Sequence, residues 1–159
     1  MTLEDRKLLF KDLCSRLPFD VCGEGEYEEE ADYEYPFGRL ERSVGHIDGI
    51  DHIGFDDGEI YVTIEGIPCE LSTVKLYLRP METMTKIEVD QFEEITNGLM
   101  ENGSSEEIWD TVVDWMNEHE FDHRHMIEKG LALPATHSMY VKFGWMDTKV
   151  VSVEHKDKL

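Results

Sequence analysis

Apolar positions near the amino terminus recur with helical spacing. Leu9, Phe10, Leu13, Cys14 and Leu17 fall at i, i+1, i+4, i+5 and i+8, one stripe of a helix that Thr2 can cap and Pro18 ends. From Phe37 to Leu78 the period shortens to two. Asp48-Gly49, Asp57-Gly58 and Gly66 punctuate runs rich in Val, Ile, Tyr and Thr, a pattern that predicts an antiparallel meander with tight turns. Between Glu59 and Glu65, Ile60, Val62 and Ile64 alternate with Tyr61, Thr63 and Glu65, and a second strand over Val74 to Leu78 is closed by Arg79-Pro80. One face of this sheet should be buried and the other wet.

Helical spacing then returns. Thr85 and Glu88 have the capping-box separation, and Phe92, Ile95 and Leu99 share a face of a helix reaching about Asn97 or a turn beyond, with Asn-Gly pairs at 97 and 102 bracketing its end. Ser104 and Glu107 repeat the capping signal before the strongest stripe of the chain, Ile108, Trp109, Val112, Val113 and Met116. Ile60, Val62 and Ile64 are expected to point into the core, with Trp109, Val112 and Met116 covering the same sheet or its adjoining helix. A short helix should follow Asp122 and stop at Gly130, with Leu131 closing onto Met126 or Ile127. Met139 to His155 reads as a strand pair or an ordered tail, and Lys149 to Val153 is its best strand. No internal repeat is visible. The order of elements predicts one α+β domain over residues 1–159, an antiparallel meander near 37–78 packed with an N-terminal helix and two or three C-terminal helices.

Charge changes this picture more than composition does. Fifteen Lys and Arg stand against 36 Asp and Glu in 159 residues, a net charge of −21, while 40% hydrophobic residues still supply a core. No basic footprint exists for direct contact with nucleic acid or an anionic membrane. No run approaches the ~18 apolar residues of a membrane span, and the charged start MTLEDRKLLFKDL lacks the apolar core of a signal peptide. Cys14, Cys22 and Cys69 are odd in number and lack CxxC spacing, so they read as reduced core thiols of a cytosolic protein, Cys14 on the buried stripe of the first helix.

Three blocks, DRKLLFKDLCSRLP at 5–18, KLYLRPMETMT at 75–85 and DWMNEHEFDHRHMIEKGLAL at 114–133, resemble a family of small proteins encoded by phages and prophages of Bacteroides-type gut bacteria. The last block keeps His119 but departs from the family pattern at Glu120, His123 and His125, where His, Tyr and Gly are expected. The resemblance implies a setting, the bacterial host cytosol, and carries over no catalytic or ligand residue.

Two constellations hold candidate chemistry. His119, Asp122, His123 and His125 carry the residue types of a zinc or nickel site, but Phe121-Asp122 reads as a helix break in which Asp122 caps and His119 fills a core edge, so no metal or other cofactor is expected. Neither a nucleophile–base pair nor a carboxylate pair stands out, Gly-Glu-Gly at 23–25 lacks the lysine of a phosphate loop, and Asp48, Asp51, Asp56 and Asp57 miss EF-hand spacing. The second constellation is the acidic segment at 23–35, read as an exposed loop or ribbon. Glu24, Glu26, Glu28, Glu29, Glu30, Asp32 and Glu34 concentrate charge there, with Tyr27, Tyr33 and Tyr35 interleaved. Glu24, Glu26, Tyr27, Glu28, Glu29, Glu30, Asp32, Tyr33 and Glu34 are the expected contacts of a basic host or phage protein, whose nucleic-acid groove they could occupy by mimicry. The alternatives are an enzyme or metal-binding protein using the histidine corner, and a homo-oligomeric structural module.

Overall fold

The computed structural model describes residues 1–31, 33–53, 59–102, 104–136, 138 and 139. Asp32, the Asp57-Gly58 turn and the chain from Tyr140 onward, including the strand expected at Lys149 to Val153, lie outside the described residues.

Nine helices and strands order the described chain: α1 (Leu3–Arg16), β1 (Cys22–Glu29), β2 (Arg39–Ile53), β3 (Ile60–Ile64), β4 (Ile67–Glu70), β5 (Lys75–Leu78), α2 (Lys86–Asn102), α3 (Ser105–Glu118) and β6 (Ala132–Pro134). The class is α+β. One six-stranded sheet runs β4-β3-β2-β1-β5-β6, antiparallel except for the β5–β6 pair.

Helix starts follow the sequence closely. Thr2 with Asp5 and Ser104 with Glu107 form reciprocal capping boxes, and Thr85 with Glu88 makes the same exchange before α2. Pro18 falls in a short 3₁₀ turn, Leu17–Phe19, directly after α1. Leu9 and Leu13 of the α1 stripe are fully buried against the sheet, whereas Cys14, expected to be buried with them, is exposed. Asp12 and Arg16 are buried in its place, so the inner face of α1 is rotated toward polar residues.

The sheet departs from a simple meander. Residues 23–29, read as part of an exposed segment, lie in β1 at its centre, between β2 and β5. Their strand signal is hidden because the core-facing positions are glycines. A Cβ on Gly25 would stand 2.7 Å from the Cys69 Cβ, and one on Gly23 would stand 2.7 Å from the Lys75 carbonyl oxygen. The core is filled there by neighbours pressing on bare backbone, while Glu24 and Glu26 take the opposite face. Asp48-Gly49 is a bulge inside β2 rather than a turn, marked by the register shift between Ile47 and Gly49. The extra residue lets Ile47 and Ile50, three apart, both meet the core. Glu65-Gly66 does form the predicted tight turn, both residues at positive φ, between the paired Ile64 and Ile67. Val62 and Ile64 are fully buried and Ile60 packs on the same cluster.

A second apolar cluster joins α2, α3 and the corner after α3 through Phe92, Ile95, Val112, Trp115, Met116 and Phe121. Trp109, expected inside, is 66% exposed, and Trp115 fills the place assigned to it. Helix α2 runs through Asn97-Gly98 and ends at the second Asn-Gly pair. The helix expected between Asp122 and Gly130 does not form. His125 at φ 55 interrupts the turns, although the Asp122 carboxylate accepts from the Met126 and Ile127 amides at 2.7 and 3.0 Å. Among the described residues no helix is long and apolar enough to cross a membrane.

Candidate functional site

Two places gather the chemistry expected from the sequence, and their geometries differ sharply. The histidine corner is interior scaffolding. His119 stacks on Trp115 at 4.2 Å between ring centroids, and its Nδ1 donates to the Trp115 carbonyl at 2.8 Å. His123 Nε2 donates to Asn117 Oδ1 at 2.9 Å, and His125 is exposed beside Glu128. Among the described residues, no three His, Cys, Asp or Glu side chains are grouped to hold a metal ion.

What the corner does hold is a set of buried arginines, which the histidine pattern concealed. Arg16 donates through Nε to Asp12 at 2.8 Å and through Nη2 to the Phe121 carbonyl at 2.8 Å, and its Nη1 lies 3.4 Å from Glu120 Oε2. Arg124 faces the other Asp12 oxygen at 3.2 Å. On the far side of Phe121, Arg79 makes a two-pronged contact with Glu88 at 2.7 and 2.9 Å, with its guanidinium 4.4 Å from the Phe121 ring centroid. Burial alone would raise Glu88, but the Arg79 fork and Thr85 hold its carboxyl below the usual range. Glu120 has weaker support: burial pushes it up to about 8 despite Arg16, and its Oε1 has no hydrogen-bond partner among the described residues. His123 is driven down to about 4 by burial and by the charges of Arg16 and Arg124. These groups tie α1, α2 and the end of β5 together, and all but the half-buried Arg124 and His123 are out of reach of a substrate.

The acidic segment is instead the arm of a hairpin. Beyond Gly23 and Glu24, which also pair with β5, β1 has only β2 as a ladder partner, and Arg39 to His46 of β2 pair only with β1. Glu28 to Ala31 and Tyr33 to Leu40 form the outer end of this two-stranded ribbon. Gly38 donates its amide to the Tyr35 carbonyl at 3.0 Å, closing a Tyr35-Pro36-Phe37-Gly38 turn.

The structure sorts the nine expected contacts. Glu24 is half-buried, accepts a short hydrogen bond from the Tyr77 hydroxyl and pairs with Arg42 at 3.2 Å; burial, then Glu24, raises the Tyr77 hydroxyl well above its ordinary pKa. Glu26 lies 4.0 Å from the same arginine. Tyr27 turns inward and packs on the core, so it is removed from the anchor set. Glu29 is held by Arg39 at 2.5 Å. Glu28, Glu30, Tyr33 and Glu34 are exposed at the outer end, and Asp32 lies outside the described residues.

Sequence reasoning missed Phe37, 98% exposed, and Leu40, 63% exposed, which join Tyr33 on the same end of the hairpin. The available signal was the Tyr-Pro-Phe-Gly turn, which sets a large apolar residue beside a glycine where no core can receive it. It also missed Arg42, which pairs with Glu24 and Glu26, and Arg39, which pairs with Glu29, while Glu28 and Glu30 have no ion pair among the described residues. Comparison with protein-family models, curated proteins and solved structures finds no match for this chain.

Proposed function

We propose that this chain is a non-enzymatic accessory protein, of phage or prophage origin as its sequence blocks imply, that docks the outer end of its β1–β2 hairpin on a basic protein in the host cytosol. One observation carries the reading: the exposed Phe37 and Leu40 line one cleft with Glu28 and Glu30 at the hairpin end, and Tyr33 is exposed on the segment leading to Phe37. Clustered large apolar side chains mark interaction surfaces, whereas single ones do not. Aromatic rings supply contact area that loses water on binding, and the carboxylates raise the rate of encounter with a cationic surface. Against a nucleic-acid-binding partner, the outward row of Glu24, Glu26 and Glu28 would stand where a phosphate backbone otherwise lies.

The test is a pull-down from host lysate followed by kinetics on the captured protein. Glu28→Gln with Glu30→Gln should slow association and flatten its salt dependence, because charge steering is screened over ~8 Å at physiological ionic strength. Tyr33→Ala with Phe37→Ala should raise the dissociation rate. A captured partner that binds both double variants like the parent would remove the hairpin end from the interface and overturn the proposal.

A further inference from the structure

The hairpin end is concave. Glu28, Glu30 and Ala31 on one side and Phe37, Gly38 and Leu40 on the other line a cleft of about 380 Å³, the scale of one or two side chains rather than of a large cofactor. Its walls combine two chemistries. Phe37 and Leu40 present exposed apolar surface, and Glu28 and Glu30 present carboxylates that no cation of the described chain neutralises.

An occupant must satisfy both walls at once. An ammonium group is a strongly hydrated point charge and gains little from an apolar wall. A guanidinium is planar, weakly hydrated, stacks on aromatic rings and meets carboxylates with parallel N–H donors. The hairpin already holds one guanidinium in this manner. Arg39 borders the same cleft, with Cζ 4.7 Å from the Tyr35 ring centroid and Nε 2.5 Å from Glu29 and 2.7 Å from Glu41.

We propose that the cleft receives an arginine side chain from an extended segment of the partner, its guanidinium laid against Phe37 and bonded to Glu28 and Glu30, alongside Arg39. The inference rests on the partner-binding reading above and deepens it by naming the residue the partner presents. It also gives Arg39 a role, since its ion pairs hold Glu29 and Glu41 out of the contest and leave the remaining carboxylates for the incoming group.

The probes are a fluorescein-labelled Gly-Arg-Gly-Arg-Gly peptide and its Gly-Lys-Gly-Lys-Gly counterpart, titrated with the full chain by fluorescence anisotropy at low salt. The arginine peptide should bind at least about fivefold more tightly than the lysine peptide. Phe37→Ala should lower arginine-peptide affinity by about tenfold and erase the preference, while lysine-peptide binding moves little. Glu28→Gln with Glu30→Gln should weaken both peptides. Leu40→Ala is a second probe of the apolar wall, and circular dichroism of each variant should match the parent because these side chains are exposed. Equal affinity for the two peptides, or an arginine preference that survives Phe37→Ala, overturns the cleft but leaves a diffusely charged docking surface standing. No binding of either peptide by the parent also overturns the cleft, and the pull-down alone then decides the broader reading.

Discussion

Glu120 illustrates how much of this molecule turns on single buried groups. It sits at φ 58, a left-handed conformation unfavourable for a side chain of its length, with its carboxyl fully buried near Arg16 and Asp12. Its folded pKa of about 8 lies above the ordinary 4.5 because burial outweighs the attraction of Arg16. The folded protein therefore keeps a proton that the unfolded chain sheds between those values. Stability tied to Glu120 is fully present below about pH 4.5 and is lost as pH rises toward about 8, by at most roughly 4–5 kcal/mol at 1.36 kcal/mol per pKa unit. His123 works in the opposite sense. Its pKa falls from 6.5 to about 4, so its contribution is lost as pH drops through that interval. The two effects oppose one another between about pH 4.5 and 6.5, and Glu120 acts without His123 above it. Urea unfolding at pH 4 to 9 should show stability of the parent declining above about pH 6.5, and Glu120→Gln should flatten that decline while leaving the His123 limb below it in place. Parent and variant falling in parallel from pH 6.5 to 8 would mean that Glu120 is ionised throughout.

Elements were legible where local chemistry decides them. All three helix starts could be read because a capping box is a property of four consecutive residues. Which face of a helix is buried was harder. In α3 the stripes through Ile108, Val112, Trp115 and Met116 and through Trp109, Val113 and Met116 lie on adjoining faces, and the choice is made by Phe92 and Phe121, which pack on Trp115 from other elements at centroid distances of 5.6 and 5.7 Å, the first ring tilted and the second stacked. Trp115→Ala should therefore cost roughly 3–5 kcal/mol in chemical denaturation. Trp109→Ala, at an exposed position, should stay within about 0.5 kcal/mol of the parent. Equal losses would place the helix in the wrong rotation. The candidate site was half legible for a related reason. Its carboxylates announce themselves by composition, whereas β1 was concealed because glycines at positions 23 and 25 replace the apolar half of the strand pattern. Phe37 and Leu40 look like core material until the ribbon is seen to extend past its neighbours.

At the scale of the whole molecule, class follows from pattern, but topology does not. The sequence predicts an antiparallel meander over 37–78, and β2, β3 and β4 do pair as successive antiparallel neighbours within it, although β4 itself is not read as a strand from the pattern. It gives no sign that β5 crosses back to pair with β1, or that β6 returns beside it across more than fifty residues. The β5–β6 pairing continues from the buried corner, where Arg79 donates its amide to the Glu120 carbonyl at 2.8 Å and accepts from Asp122 at 2.9 Å, aligning the end of β5 with the segment that leads to β6.

The parallel seating of β6 has a consequence for how the chain acquires its structure. Leu76 faces Ala132 and Leu78 faces Pro134, so the outer side of β5 stays unsatisfied until the α2–α3 hairpin has closed and delivered the segment after it. Antiparallel neighbours such as β1 and β2 need only a short loop to meet, whereas this pair must first pay the closure entropy of a long one. During synthesis the first half of the sheet therefore waits with a bare hydrophobic margin for residues that emerge more than fifty positions later. Pulse-labelled hydrogen exchange on refolding protein should find the amides of 40–46 protected before that of Ala135, which donates to the Leu78 carbonyl at 2.8 Å. Simultaneous protection of both would show instead that the two halves assemble in one cooperative step.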